Sequence, residues 1–206
     1  MPVQAGQGWY VGVSGGGNLV DDIDFTGLRD RDAPAADAAL GGTWAIDEGW
    51  AILASTGYAL ATWRVEVEGG YRQNAVDTGI AIDLDAWTLS FNVIHDVRLS
   101  RSITLSLGGG IGADRTTLQI DSLGFDDTDW SLALQGIAGL SFELTPQLDL
   151  TFDYRYRFTE GADLASRITT EPARESYALD DFGAHVATIG LRFSFDTAAT
   201  VPMPTP

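Results

Sequence analysis

LDLTFDYRYRFT, residues 148–159, decides how this chain folds. Leu148, Leu150, Phe152, Tyr154, Tyr156 and Phe158 share one parity, and Asp149, Thr151, Asp153, Arg155 and Arg157 share the other. A repeat of two is the signature of a β-strand with one apolar and one polar face. WRVEVEGGYR at 63–72 repeats it: Trp63, Val65, Val67 and Tyr71 alternate with Arg64, Glu66, Glu68 and Arg72.

Carried along the chain, the same parity gives eight segments, near 8–17, 49–60, 62–73, 86–97, 102–114, 129–145, 147–159 and 183–195. The connections alternate long and short: long near 18–48, 74–85, 115–128 and 160–182, short near 60–62, 97–102 and Pro146. An all-β, eight-stranded antiparallel up-and-down barrel with its long loops at one end produces this rhythm. Strands of about 10–13 residues, tilted near 40°, cross an apolar band of about 25 Å.

A soluble barrel turns its apolar face inward and a membrane barrel turns it outward. Three features favour the membrane. Trp50, Trp87 and Trp130 stand where strands meet long loops, and Trp9 and Trp63 stand at the opposite strand ends, the two belts that bilayer interfaces favour. The polar face is rich in Gly, Ser and Thr, as in Thr104, Ser106, Gly108, Gly110 and Gly112, and every base in the chain is arginine. The loops, taken as 18–48, 73–86, 114–129 and 160–183, carry −6, −3, −4 and −4, which sum to the whole net charge of −17. The strands are left balanced, as a closed interior requires, because an unpaired buried charge is very costly.

Composition narrows the function classes. The 206 residues fit one all-β domain, and an acidic chain without Lys is a poor partner for nucleic acid. With no cysteine, thiolate catalysis, disulfides and cysteine zinc sites are excluded. No transmembrane helix and no signal peptide is legible.

On these residues the chain resembles the OmpA-like and opacity-protein-like eight-stranded outer-membrane barrels of Gram-negative bacteria. The most specific piece is TIGLRFSF at 188–195, similar to the family's closing strand in Thr188, Gly190, Phe193 and the terminal aromatic Phe195; GWYVGVSGG at 8–16 and LQGIAGLSFEL at 134–144 support it. The resemblance implies residence in the outer membrane among its lipids and lipopolysaccharide, export by a cleaved signal, and insertion by the barrel-assembly machinery reading Gly190, Phe193 and Phe195. It implies a barrel domain at 1–195 and a Pro-rich tail or linker start at 196–206, which in longer members leads to a peptidoglycan-binding domain absent from this chain. The function it implies is structural and non-enzymatic, supporting envelope integrity. A surface adhesin or antigen acting through the acidic loops is the alternative, followed by a small pore or a lipid-modifying enzyme.

Candidate chemistry is sparse. GGGIGA at 108–113 fits a dinucleotide fingerprint but opens no helix, so its glycines read as room for long arginines opposite. His185, near Asp180 and Asp181, lacks a serine nucleophile at the next same-face position, Ala187, and reads as a rim residue. His95 with Asp96 reads as turn and interface chemistry, and neither histidine has a second at metal-ligand spacing. The clusters Asp21, Asp22, Asp24 and Asp126, Asp127, Asp129 lack a calcium-loop pattern and read as solvated loops. No catalytic, cofactor or metal residue is expected. The polar lumen remains: Arg64, Glu66, Glu68, Arg72, Gln135, Asp153, Arg155, Arg157 and Arg192 take the inward parity, either as a plug of ion pairs or as a pore.

Overall fold

The computed structural model describes residues 7–21, 23–27, 42–44, 48–77, 81–120, 125–160, 163–166, 175–179 and 181–195. Eight strands close a barrel: β1 (Gly8–Val20), β4 (Gly49–Leu60), β5 (Trp63–Asp77), β6 (Ala81–Arg98), β7 (Ile103–Ile120), β8 (Phe125–Thr145), β9 (Leu148–Thr159) and β12 (Phe182–Ser194). Each pairs antiparallel with its neighbours, and β12 against β1 makes the closure, with Val11 opposite Phe193 and Ser14 opposite Gly190. A closed ring leaves no unpaired edge, which is what a strand-built membrane span requires.

The short connections are tight. Ala61, at φ 56°, turns the chain between β4 and β5, as a two-residue hairpin requires. The Ser100 hydroxyl accepts from the Ser102 and Ile103 amides, and the Thr145 hydroxyl accepts from those of Gln147 and Leu148 beside Pro146. The last strand ends at the same rim, where the Phe195 amide donates to the Trp9 carbonyl at 2.9 Å.

Burial follows the parity. Val11, Val13, Leu89, Phe91, Ile111, Leu132, Ile189 and Leu191 are exposed on the outside while arginines and carboxylates are buried within, the inverse of a water-soluble barrel. All five belt tryptophans lie on the outer surface, from 44% exposed at Trp50 to 64% at Trp130. Trp9 meets Tyr58 and Trp63 meets His95 at the short-turn rim, and Trp50, Tyr71 and Trp87 stack in succession at the other.

The structure corrects the loop boundaries. Residues 74–85 and 115–128 are largely strand: β5 runs on to Asp77, β6 starts at Ala81, β7 runs on to Ile120 and β8 starts at Phe125. A lipid-facing pattern ends at the belt, so parity read in that sense stops there although the pairing continues. The first and last long connections hold four further strands, β2 (Ile23–Gly27), β3 (Gly42–Trp44), β10 (Asp163–Ser166) and β11 (Glu175–Leu179), in a separate sheet of order β10–β11–β2–β3. Asp24 is thus in β2, and Asp126, Asp127 and Asp129 are in β8; Asp22 and residues 196–206 lie outside the described residues. In this small sheet, and at 75–77, 81–84, 118–120, 125–127 and 129, the description is of backbone and register.

Candidate functional site: the polar lumen

Interior positions of the eight strands carry one connected network. Near the short-turn rim, Arg192 donates to Asp149 at 2.8 Å and to the Ser141 hydroxyl at 3.2 Å. Above it Arg64 on β5 forks onto Asp96 of the adjacent β6, at 2.7 and 3.1 Å, and reaches the hydroxyls of Ser106 and Tyr10. The guanidinium of Arg64 lies 5.3 Å from the Tyr10 ring centroid, on the side an aromatic face presents to cations. Tyr10 donates onward to Glu66 at 2.9 Å.

The middle layer crosses the axis. Glu66 accepts from Asn92, Asn92 accepts from Gln135 at 2.7 Å, and Gln135 also donates to Glu68. Glu68 on β5 meets Arg155 on β9, four strands away around the ring in either direction, at 2.8 Å. Glycine makes this crowding possible at Gly110, where a Cβ would fall 1.9 Å from the Asn92 Oδ1 atom. A cavity of about 40 Å³ remains beside this layer, bordered by Ser14, Ser55, Glu66, Asp153 and Arg155, space for a few waters at about 10–15 Å³ each.

The third layer centres on Asp114, which is fully buried. Both its oxygens accept from Arg157, and Arg72 and Thr159 donate to it at 2.8 and 3.1 Å. Arg157 continues to Ser90 and to the Gln135 side-chain oxygen, each at 2.9 Å, linking this layer to the one below. The fork geometry of arginine lets one guanidinium hold a carboxylate and two neutral acceptors together.

Thus all nine lumenal residues named from sequence stand inside the barrel; Asp153 is the least engaged, 3.9 Å from Arg155. Five arginines (Arg64, Arg72, Arg155, Arg157, Arg192) face six carboxylates (Glu66, Glu68, Asp96, Asp114, Asp149, Asp153). Parity alone passed over Asp114, Asp96, Tyr10 and Asn92 as network members. Asp114 ends the 102–114 segment and was counted with the charges of the long loop, yet it continues the inward row of Gly108, Gly110 and Gly112. Asp96 is an ion-pair partner of Arg64 and not only a turn residue.

Both histidines sit outside the lumen. His95 stacks on Trp63 at 4.5 Å. His185 lies 2.6 Å from the Tyr154 hydroxyl and 3.3 Å from Asp21, on the outer surface at the long-loop rim. Phe193 and Phe195 pack edge to face on the opposite rim, with ring centroids 5.4 Å apart. A Cβ on Gly190 would come within 2.5 Å of the Val13 carbonyl and of the Ser14 Cβ atom, so the closing strand has no room for a side chain at this position against β1.

Residues 1–195 match the family model described as outer membrane protein beta-barrel domain. An uncharacterized protein of Brucella abortus is 30% identical over 135 residues, covering 53% of this chain and 47% of its own length. The chain therefore spans about half the length of the curated relatives it matches. Among solved structures the fold is similar to Neisserial surface protein A, with TM-score 0.64 and 18% identity over 93% of this chain and 100% of that one. It is also similar to OprG from Pseudomonas aeruginosa, with TM-score 0.54 and 17% identity over 93% of this chain and 99% of that one.

Proposed function

The chain belongs to the outer membrane protein beta-barrel domain family, and from that premise we propose that it is a structural, non-conducting barrel that anchors in a Gram-negative outer membrane. The observation that carries this reading is the lumenal network running without a break from Asp96 through Arg64, Tyr10, Glu66, Asn92 and Gln135 to Arg157 and Asp114. Side chains that fill an eight-stranded interior leave no aqueous path. In a longer protein the barrel would tether the envelope to peptidoglycan through a further domain.

Planar-bilayer recording tests it. The unmodified barrel is expected to conduct little or nothing, and Glu68→Ala, which leaves Arg155 without its carboxylate, to show raised conductance. A steady, large conductance of the unmodified barrel would make the protein a pore instead.

Lipids and lipopolysaccharide around the belts, and an assembly machinery that reads the closing strand, complete the reading. Phe195→Asp is expected to lower the heat-modifiable, inserted yield in cells far more than Phe25→Asp in β2; equal yields would contradict it. The second reading, a surface adhesin or antigen, is favoured by one observation: β2, β3, β10 and β11 join the first and last long connections in a single sheet. Loss of attachment to host cells or phage on deleting that sheet, with envelope integrity intact, would establish it.

A further inference from the structure

Two strands and the residue that follows a third bring four polar side chains together on the outer surface at the long-loop rim. Tyr154 and Tyr156 belong to the lipid-facing row of β9. His185 lies on the neighbouring β12, opposite Tyr156 in the register, and Asp21 follows β1, which pairs with the other edge of β12. The Asp21 amide donates to the Gly183 carbonyl at 2.9 Å, which carries the pairing one residue further and sets the carboxylate beside β12. Gly183 leaves the space it needs: a Cβ there would overlap Asp21 Oδ2 and come 2.7 Å from the Tyr156 hydroxyl.

Three of these groups form a line. The Tyr154 hydroxyl lies 2.6 Å from His185 Nδ1, and His185 Nε2 lies 3.3 Å from Asp21 Oδ1. An ionised carboxylate can only accept, so it holds the imidazole proton on Nε2, and Nδ1 then accepts from the tyrosine hydroxyl. A weak nucleophile bonded to a base that a third group orients is the arrangement that activates hydroxyls for acyl transfer. Read along β12 alone, His185 has only Ala187 beside it; the hydroxyl comes from across the strand pair, since Tyr154 stands opposite Ala187. Tyr156 packs on the same imidazole, with ring centroids 5.0 Å apart. The line is reachable from outside, with Tyr154 46% exposed and the side chains of His185 and Asp21 39% and 49% exposed.

We propose that Tyr154, His185 and Asp21 form an acyl-transfer site that cleaves ester-linked acyl chains of membrane lipids. The site opens sideways onto the surface that meets lipid, and one register row joins it to the tryptophan belt, from Trp50 through Gly17 and Ala187 to Tyr154. Tryptophan belts lie at headgroup level, where acyl esters meet water, so ester and water both reach the line. His185 Nδ1 takes the Tyr154 proton as the phenolic oxygen bonds to the ester carbonyl carbon. The bond from that carbon to the lipid alcohol breaks, and the alcohol leaves with the proton from Nδ1. Water then gives a proton to Nδ1 and its oxygen to the acyl carbon; the fatty acid departs and Tyr154 recovers its proton. Asp21 is the positioning residue, holding the imidazole and balancing its transient charge.

The full chain folded into vesicles of palmitoyl-oleoyl phosphatidylethanolamine, and separately into vesicles carrying lipid A, tests the proposal by mass spectrometry of released fatty acid. Release at least tenfold above protein-free vesicles is expected from one lipid or both, and the responding arm identifies the source. Acid-quenched protein is expected to carry one acyl group on the peptide that contains Tyr154. Tyr154→Phe and His185→Ala are expected to return release to background while the protein keeps its heat-modifiable mobility. Asp21→Asn is expected to lower kcat at least tenfold with KM unchanged, and Asp21→Glu to restore part of it; Glu143→Gln, at the opposite rim, should change nothing. No release from either lipid would overturn the proposal. Undiminished release by Tyr154→Phe would overturn it too, because the hydroxyl would then be only a hydrogen-bond partner of His185.

Discussion

The lower and upper halves of strands β5 to β8 are built from the same alternation and obey opposite rules. In the lower half Leu89, Phe91, Ile111 and Leu132 face outward and are exposed, while Ser90, Asn92 and Gln135 are buried inside. In the upper half the outer positions of the same strands hold Asp83, Asp85, Gln119 and Asp126, and the lumenal ones hold Ile82, Leu84, Leu118 and Ile120. The solvent outside the wall sets the sense of the alternation. Hydrocarbon draws apolar side chains outward and confines polar groups to a lumen where they must pair; water does the reverse. The row of tryptophans marks where one solvent gives way to the other.

The largest expected effect comes from breaking the lower half at its most buried charge. Asp114→Ala removes the carboxylate that holds Arg72 and Arg157 together and leaves two guanidiniums in a closed interior. Leaving one partner of a buried pair unmatched costs about 3–5 kcal/mol, so the loss should reach that range at least. Urea-induced unfolding in lipid vesicles, or the temperature at which the heat-modifiable band shifts, measures it. A loss below about 1 kcal/mol would mean that the network is not what holds the lumen together.

A smaller effect tests the reversal itself within one row of one strand. Phe91 and Asp83 are both outer positions of β6, on opposite sides of Trp87, and Phe91 stands midway between Trp87 and the rim at His95. Arginine on the lipid face costs about 2–4 kcal/mol near the bilayer midplane and about 0–1 kcal/mol near the interfaces. Phe91→Arg should therefore destabilise the folded barrel in vesicles by an amount in the first range, and Asp83→Arg by an amount within the second. Equal costs at the two sites would place the bilayer boundary elsewhere and remove the basis for the reversal.

This reversal also separates what the sequence made legible from what it did not. Strand parity needs only neighbours in the chain, so Arg64, Glu68, Arg155 and Gln135 were assignable to the lumen from their own strands. Which of them meet is set by the stagger between strands. Nothing local to β5 says that Glu68 lies level with Arg155 on the far side of the ring, or that Tyr10 of β1 bridges Arg64 and Glu66. Asp114 escaped for a different reason: it stands one residue beyond the last lipid-facing side chain of β7, where a pattern read as apolar-out stops although the strand does not. The same assumption turned the upper parts of β5 to β8 into loops. For β2, β3, β10 and β11 the reason is length, since three to five residues carry too few alternations to stand out.

The smallest effect is expected where the lower half opens to water. Arg98 and Glu143 approach to 3.9 Å at the short-turn rim, with side chains 38% and 41% exposed. Both ions there keep most of their hydration, and holding two long side chains in one geometry costs rotamer entropy, so such pairs contribute about 0–1 kcal/mol. Arg192 and Asp149 belong to the same end of the barrel but lie deeper, at 2.8 Å with side chains 14% and 23% exposed, and the Ser141 hydroxyl shares the guanidinium. A double-mutant cycle on each pair isolates the coupling from the other consequences of truncation. If depth in the lumen governs how strongly these ions depend on each other, the Arg192–Asp149 coupling exceeds that of Arg98–Glu143, and only the latter vanishes in high salt, because screening acts on exposed charges first. Couplings of equal size would show that water reaches the two pairs alike, which places the inner edge of the polar plug above Arg192, at the Arg64–Asp96 pair.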